Sequence, residues 1–314
     1  QETTRMKSYQ LMARLLEEQC HISEDDTQKV LLKKPGEIPA DSLQSPSDPD
    51  ATYGRKGKGY KASLTETCEK QNPFQVITDV AVDSANASDQ NDVEPTIERL
   101  EAAGHKPGEL FADAGYGSGE NIVQAQEQGV QLTAPITSGK APDSNKMQLS
   151  DFEVTADCKQ LLSCIKGHAP LSCKLTGGGK AVVALFAAAN CSECEFLPIC
   201  LVKRRKGGNY RLRYRRKDMA TSRRRQEQDT DDFKERYKIR SGIEATISEA
   251  DRVSGLKRVW TRGKHRVTMS VYMKALAINI KRYVQSELEK AKKAISYSYD
   301  RTFVAALRCL CPLS

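Results

Sequence analysis

The stretch ELFADAGYGSGEN, Glu109 to Asn121, carries a short apolar run that stops on one acid, Asp113, and then breaks into Gly115, Tyr116 and Gly117. A carboxylate at the C-terminal end of a sheet strand projects into the crevice where α/β proteins bind ligands. Gly115 and Gly117 permit a tight turn and let a backbone come close. The same residues also fit a solvated turn acid. A second acid, Glu244, lies in RYKIRSGIEATISEADR, residues 236–252. On a continuous helix Tyr237, Arg240 and Glu244 stand at i, i+3 and i+7 and share one face, beside an apolar face of Ile243 and Ile247. A lone helical Glu is ordinarily a solvated charge. A Tyr and an Arg on the same stripe point to a functional face.

Two further groups of residues have chemistry in them. Six of the ten cysteines fall between Cys158 and Cys200. Cys164-x3-His168 and Cys191-x2-Cys194-x5-Cys200 have the spacing of zinc ligands, with Cys164, Cys191, Cys194 and Cys200 the favoured set. The alternative is unpaired cysteines in a small-residue core, after the run AVVALFAAAN. Next comes a basic run: residues 201–225 hold twelve Lys or Arg and one acid, Asp218, giving +11 and leaving −3 for the rest of a chain of net charge +8. Charge this local suits a polyanion-contacting surface. YRLRYRR alternates as a strand does, with Tyr210, Leu212 and Tyr214 on one face and Arg211, Arg213 and Arg215 on the other. With Lys203, Arg204 and Arg205 these arginines are the candidate phosphate contacts. A second basic group, Lys257, Arg258, Arg262, Lys264 and Arg266, surrounds the only tryptophan, Trp260.

The elements that must position these residues follow from periodicity and turn chemistry. Residues 1–20 read as an amphipathic helix and 34–59 as loop. Residues 60–68 and 74–82 read as a strand hairpin, and 92–104 as a helix with Pro95 in its first turn and Gly104 closing it. A strand ending at Asp113, a helix over 118–129 and a strand over 130–136 make a strand–helix–strand unit. Residues 137–225 interrupt this rhythm with Gly, Cys and basic residues. From Asp231 the pattern is helical again, and 269–291 is an amphipathic helix with Val271, Leu276, Ile278 and Tyr283 among its apolar positions. At 314 residues, 39% hydrophobic and 29% charged, the composition is that of a globular protein with a polar surface. No stretch approaches the apolar length of a membrane span, and the start has neither Met nor a signal-peptide core. The expectation is a cytoplasmic protein without membrane contact whose true N-terminus lies upstream.

FADAGYGSGEN and Tyr237-x2-Arg240-x3-Glu244, together with SLQSPSDPDATYGRKGKGYKASLTETC before them, resemble the second acid, the signature helix and an upstream block of the DDE transposases of bacterial insertion sequences. The resemblance runs from about Ser42 to Lys281. It implies an α/β fold with a ribonuclease-H-like mixed sheet and flanking helices, interrupted by an inserted Cys-rich basic subdomain. The corresponding divisions are an N-terminal helix and linker (1–50), the first part of the core (51–136), the insertion (137–225), the Glu helix with C-terminal helices (226–292) and a tail (293–314). It implies DNA cleavage and strand transfer, in-line displacements at phosphate served by paired Mg²⁺ (or Mn²⁺) ions on carboxylates. Asp113 would be the second acid and Glu244 the third, with the glycines leaving room for a phosphate. Tyr237 and Arg240 would position DNA phosphate or the acid itself. Zinc would hold together an insertion with little core of its own. The implied partners are insertion-sequence ends and target DNA, with self-association on DNA in a nucleoid-associated bacterial protein.

Two departures stand against the pattern. The family's first acid sits on a strand upstream of GYKASLTE, where this chain offers only Asp48 and Asp50 in a Pro-containing loop, so the chain is expected to lack it. Seven residues after Glu244, where Lys or Arg is usual, stands Asp251, with Arg252 beside it. Two alternatives remain: a metal-dependent nuclease of the same fold, and a catalytically inactive DNA-binding remnant.

Overall fold

The computed structural model describes residues 3–23, 29–139, 142–143 and 145–310. The fold is mixed α/β, with several small sheets and helices in two compact units. One unit comprises Gln1–Ala87 and Gly242–Ser314, the other Ser88–Ser241.

The first unit opens with α1 (Lys7–Gln19) and the short hairpin of β1 (Cys20–Ile22) and β2 (Val30–Leu32). Residues 1–2 of the expected first helix lie outside the described residues. The antiparallel strands β3 (Thr52–Gly54), β4 (Gly57–Glu66) and β5 (Ile77–Ser84) form a sheet in that order, with Ala62 opposite Val82 and Leu64 opposite Val80. The 60–68 and 74–82 hairpin is therefore present, but residues 52–59, expected as loop, are also paired. Gly57, at φ 115°, holds a backbone that L side chains rarely adopt, and it ends the two-residue turn across Arg55 and Lys56.

The second unit begins with α2 (Val93–Ala102), then β6 (Glu109–Phe111), α3 (Gly119–Glu127) and β7 (Gln131–Thr133). β6 and β7 pair in parallel, Leu110 opposite Leu132, as a strand–helix–strand unit requires. Ser118 caps α3 by accepting from Asn121 N–H at 3.1 Å. Val93, Ile97, Ala125, Val130, Leu132 and Ala134 form the core of this part.

Residues 153–227 contain more order than their sequence suggests. β8 (Glu153–Val154) pairs with β9 (Leu161–Ser163), and β10 (Ser172–Thr176), β11 (Ala181–Phe186), the one-turn helix α4 (Ala188–Cys191), β12 (Lys203–Arg204) and β13 (Tyr210–Arg215) follow. The four-stranded antiparallel sheet runs β10-β11-β13-β12. Against it packs α5 (Arg216–Glu227), a helix the basic composition had concealed. Phe152, Leu161, Val182, Phe186, Leu212 and Met219, each no more than 2% exposed, belong to one core. The expectation of a segment with little core is thus incorrect: alternating strand residues close a core that no helical period signals.

α6 (Asp231–Tyr237), capped by Thr230, ends the second unit. The chain then returns to the first unit through α7 (Ser241–Ser254) and the 47-residue α8 (Lys264–Leu310). α8 lays Val267, Val271, Ala275 and Ile278 on Ile77, Val80 and Val82 of β5, together with Ala250 of α7. Asn279 fixes the register, accepting from Ile77 N–H and donating to Ile77 O, each at 2.9 Å. Leu276 and Tyr283, expected on the apolar face, are 50% and 56% exposed instead, on a second apolar stripe. α8 also continues through most of the expected tail; residues 311–314 of that tail lie outside the described residues.

Candidate functional site

In the second unit Asp113 follows β6 directly. Ala112 N–H donates to Thr133 O at 3.1 Å, extending the parallel ladder by one residue, and Asp113 then opens a turn. Its Oδ1 accepts from Gly115 N–H at 2.8 Å, a local bond that holds the carboxylate at the strand end. The side chain is 45% exposed.

The neighbouring glycines divide the work. A side-chain carbon at Gly117 would lie 1.9 Å from Pro135 O, and one at Gly119 would lie 1.9 Å from Lys217 O. Both positions admit protein backbone, so for Gly117 the expected room for phosphate is filled by the chain itself. Gly115 is exposed and different: a carbon there would lie 2.8 Å from Asp89 Oδ2 and 2.9 Å from Asp113 Oδ1. Two carboxylates therefore flank one small space that only a glycine leaves open. Asp89 was missed by sequence reasoning; the sole signal was an acid just before α2, which resembles any helix-start acid.

Tyr237 and Arg240 reach the same strand end. Tyr237 Oη donates to Ala112 O at 2.9 Å while its ring stacks on Phe233, centroids 5.6 Å apart. Arg240 Nη2 stands 3.8 Å from Asp113 Oδ2, an ion pair too long for a direct hydrogen bond. Arg236 pairs with Glu109 at the start of β6 at 2.6 Å. These contacts do not come from one continuous helix. α6 ends at Tyr237, residues 238–240 tighten into a 3₁₀ turn, and α7 begins at Ser241. The i, i+3, i+7 face expected for Tyr237, Arg240 and Glu244 is thus interrupted. Glu244 lies in the first turn of α7, exposed, in the first unit.

Within that unit α7 is anchored by a buried charge network. Arg282 of α8 donates to Glu66 Oε2 at 3.1 Å, Glu249 Oε2 at 3.0 Å, Thr246 Oγ1 at 2.6 Å and Gln75 O at 2.9 Å. Thr246 in turn donates to Glu66 at 2.6 Å. The Lys281 ammonium, then Arg282, holds the Glu249 carboxyl below its usual range. Asp251 accepts from Lys257 N–H at 3.0 Å and closes the turn after α7, which gives this departure from the family pattern a local structural use. Arg252 next to it is exposed.

Asp48 and Asp50 are engaged as well. Asp48 Oδ1 accepts from Tyr60 Oη at 2.5 Å and from Gly263 N–H at 3.0 Å; Asp50 Oδ2 accepts from Lys264 N–H at 3.0 Å. Together they satisfy the first free N–H groups of α8 and complement its dipole. Burial and the Asp48 carboxylate beside it push the Tyr60 hydroxyl's pKa upward.

The basic strand has the expected alternation. Tyr210, Leu212 and Tyr214 are buried, and Arg213 and Arg215 are exposed on the other face with half-buried Arg211. Lys203 pairs in register with Arg211, and Arg204 with Tyr210; Arg205 follows in the turn to Asn209. Arg215 is held by Asp218 at 2.7 Å. Two arginines of the run do not belong to any surface. Arg216 is buried and pairs with Glu127, and Arg224 is buried, donates to Leu132 O at 2.9 Å and lies over the Phe233 ring. Trp260 is 98% exposed.

Cys164, Cys191, Cys194 and Cys200 line one cavity of about 30 Å³, with His168, Phe186 and Phe196 also in its wall. All four are free and half-buried. Among the described residues no three His, Cys, Asp or Glu side chains are grouped closely enough to hold a metal ion. Among the described residues no helix is long and apolar enough to cross a membrane.

Residues 163–284 match the family described as a transposase DDE domain. No curated protein and no solved structure matches the chain.

Proposed function

From the match of residues 163–284 to a transposase DDE domain, we propose that this protein cuts and joins DNA strands by metal-assisted phosphoryl transfer, as the C-terminal part of a DDE transposase. The observation that carries the proposal is the convergence of Tyr237 and Arg240 on the strand end bearing Asp113. Of the two roles open to those residues, contact with the acid is favoured. Tyr237 fixes the backbone one residue before the carboxylate, and Arg240 places a positive charge 3.8 Å from it.

In this reading Asp113 and Glu244 are the second and third acids on a ribonuclease-H-like core. Mg²⁺ (or Mn²⁺), when bound, would supply the charge that stabilises in-line displacement at phosphorus. The donor chemistry suits a hard cation: Asp113 and Asp89 offer carboxylate oxygens around the open space at Gly115. Asp48 and Asp50 are not favoured as the first acid, because one oxygen of each is engaged at the start of α8.

The outer face of the four-stranded sheet is proposed to hold the DNA backbone. Lys203 and Arg211 stand directly opposite each other on neighbouring strands, an arrangement that costs stability unless an anion lies between them. Arg213, Arg204 and Arg205 extend the charge, and exposed Trp260 among Arg258, Arg262 and Arg266 offers a face on which an unpaired base can stack.

The test is a strand-transfer assay with insertion-sequence end DNA, on this chain and on the product of the reading frame that contains it. Asp113→Ala and Glu244→Ala should each abolish cleavage and joining while leaving DNA binding in place. Full activity in either variant overturns the acid assignment. Cleavage without a joined product overturns transposition in favour of a nuclease.

A further inference from the structure

α8 is apolar on two faces. One of them, with Val267, Val271, Ala275 and Ile278, lies on β5 and is buried. The other carries Met269, Met273, Leu276, Ile280 and Tyr283, each at least 50% exposed. At 3.6 residues per turn Leu276 and Ile278 stand about 160° apart around the axis, so the two faces are opposite. A surface helix ordinarily sets a polar face against its buried one, and a helix apolar on both sides is one that is covered on both. The five exposed residues follow one another at intervals of four, three, four and three, the heptad rhythm of a helix that packs along a second helix.

The ends of this seam carry opposite charge. The same rhythm places Arg266 three residues before Met269 and Glu287 four residues after Tyr283, and both are exposed. His265, also exposed, stands beside Arg266. Within its own helix Glu287 pairs with Lys290 at 2.8 Å, an exposed contact of small worth that a stronger one can displace. The Tyr283 ring meets Phe74 edge-on, centroids 6.3 Å apart, which fixes its place in the seam. Two such helices laid parallel would set Glu287 on Glu287 and Arg266 on Arg266. Laid antiparallel, the acidic end of each meets the basic end of the other. The charge pattern is therefore complementary to a second copy of itself, in one direction.

We infer that this face of α8 is the interface of an antiparallel homodimer, in which α8 of one copy packs along α8 of a second across a two-fold axis. In the layers about the axis Leu276 meets Ile280 of the second copy and Met273 meets Tyr283 of the second copy. Glu287 then lies opposite Met269 of the second copy, within one helical turn of its Arg266. An interface of this kind is isologous and closes at two copies. Removal of the five apolar side chains of each copy from water supplies the attraction, the end charges set the direction, and the two methionines adapt to what they meet. β5 and α7 hold α8 from behind, so the seam is preformed and costs little to order. The inference is independent of the phosphoryl-transfer reading: it requires no DNA and uses none of the proposed acids.

The test is sedimentation equilibrium of the full chain without DNA. A dimer is expected at micromolar concentration, as suits an interface at the small end of the specific range. Leu276→Glu and Ile280→Glu place a charge in the seam twice per dimer and should each weaken dimerisation by at least about 100-fold. Both positions are exposed, so the circular dichroism of the chain should not change. Met12→Glu, at an exposed methionine of α1, should leave the dimer intact. Charge reversal reads the direction. Arg266→Glu and Glu287→Arg should each weaken the dimer by about tenfold, and the two together in one chain should restore it. These charge variants keep the test decisive even where a glutamate in the seam prevents folding. A chain that stays monomeric into the hundreds of micromolar, whether its seam is bare or covered by another part of the chain, overturns the inference. So does a dimer unaffected by both seam variants, or a double charge reversal no better than the single ones, which a parallel or differently placed interface would give.

Discussion

Arg282 is the residue whose loss should most disturb the helix that carries Glu244. Its guanidinium, 15% exposed, reaches Glu66, Glu249, Thr246 and the Gln75 carbonyl, so it ties α7, α8 and the β4–β5 hairpin at one point. In Arg282→Met, Glu249 retains Lys281 at 2.7 Å, but Glu66, 7% exposed, keeps only the Thr246 hydroxyl. Removing one partner of a buried ion pair costs about 3–5 kcal/mol. Because one of the two carboxylates keeps a cation, a loss of about 3 kcal/mol is expected, near the lower end of that range. Urea unfolding should show a lower midpoint with an unchanged slope. The double variant Glu66→Gln/Arg282→Met removes the stranded charge and should recover part of the loss. A single-variant cost under about 1 kcal/mol, or a double variant no better than the single, would refute the view that desolvated charge is what makes this site costly.

Further outcomes follow from particular contacts. Gly117→Ala should destabilise the second unit by about 1–3 kcal/mol in thermal unfolding, since the new carbon would meet Pro135 O, a backbone atom that cannot turn aside. Glu249 has a folded pKa below its unfolded value, so its stabilising share is complete above the usual carboxylate pKa and is lost as pH falls through the folded one. Acid titration of Glu249→Gln should accordingly show a shallower loss of stability below about pH 4.5 than the unsubstituted chain. Replacing Lys203, Arg211 and Arg213 by Ala should lower the slope of log K against log salt for duplex DNA by about 0.9 per lost phosphate contact; an unchanged slope removes this sheet face from the interface. Tyr237→Phe frees the Ala112 carbonyl, and strand-transfer rate should fall with DNA affinity unaltered, whereas a fall in affinity alone would mean that Tyr237 holds phosphate instead.

By itself the sequence determined the local elements whose period or capping is strong. The 109–111 and 131–133 strands about their helix, the β4–β5 hairpin and the alternation of Tyr210, Leu212 and Tyr214 follow from side-chain spacing of two or about 3.6 residues. The pairing of a strand-end acid with a Tyr–Arg pair 124 and 127 residues later was likewise legible, because both belong to a family pattern. What only the tertiary structure decided lies in contacts between residues far apart in the chain. It moved Arg216 and Arg224 from the basic surface into the core, since buried carbonyls and Glu127 compensate their charge. Asp48 and Asp50 became caps of a helix that begins more than 200 residues later. The supposed single helix from Tyr237 to Glu244 was divided by a 3₁₀ turn, and four of six cysteines were sorted onto one cavity. None of these has a local signal: the type of a charged residue or a thiol is fixed by the sequence, but whether it meets water, a carbonyl or its like depends on which distant segment folds against it.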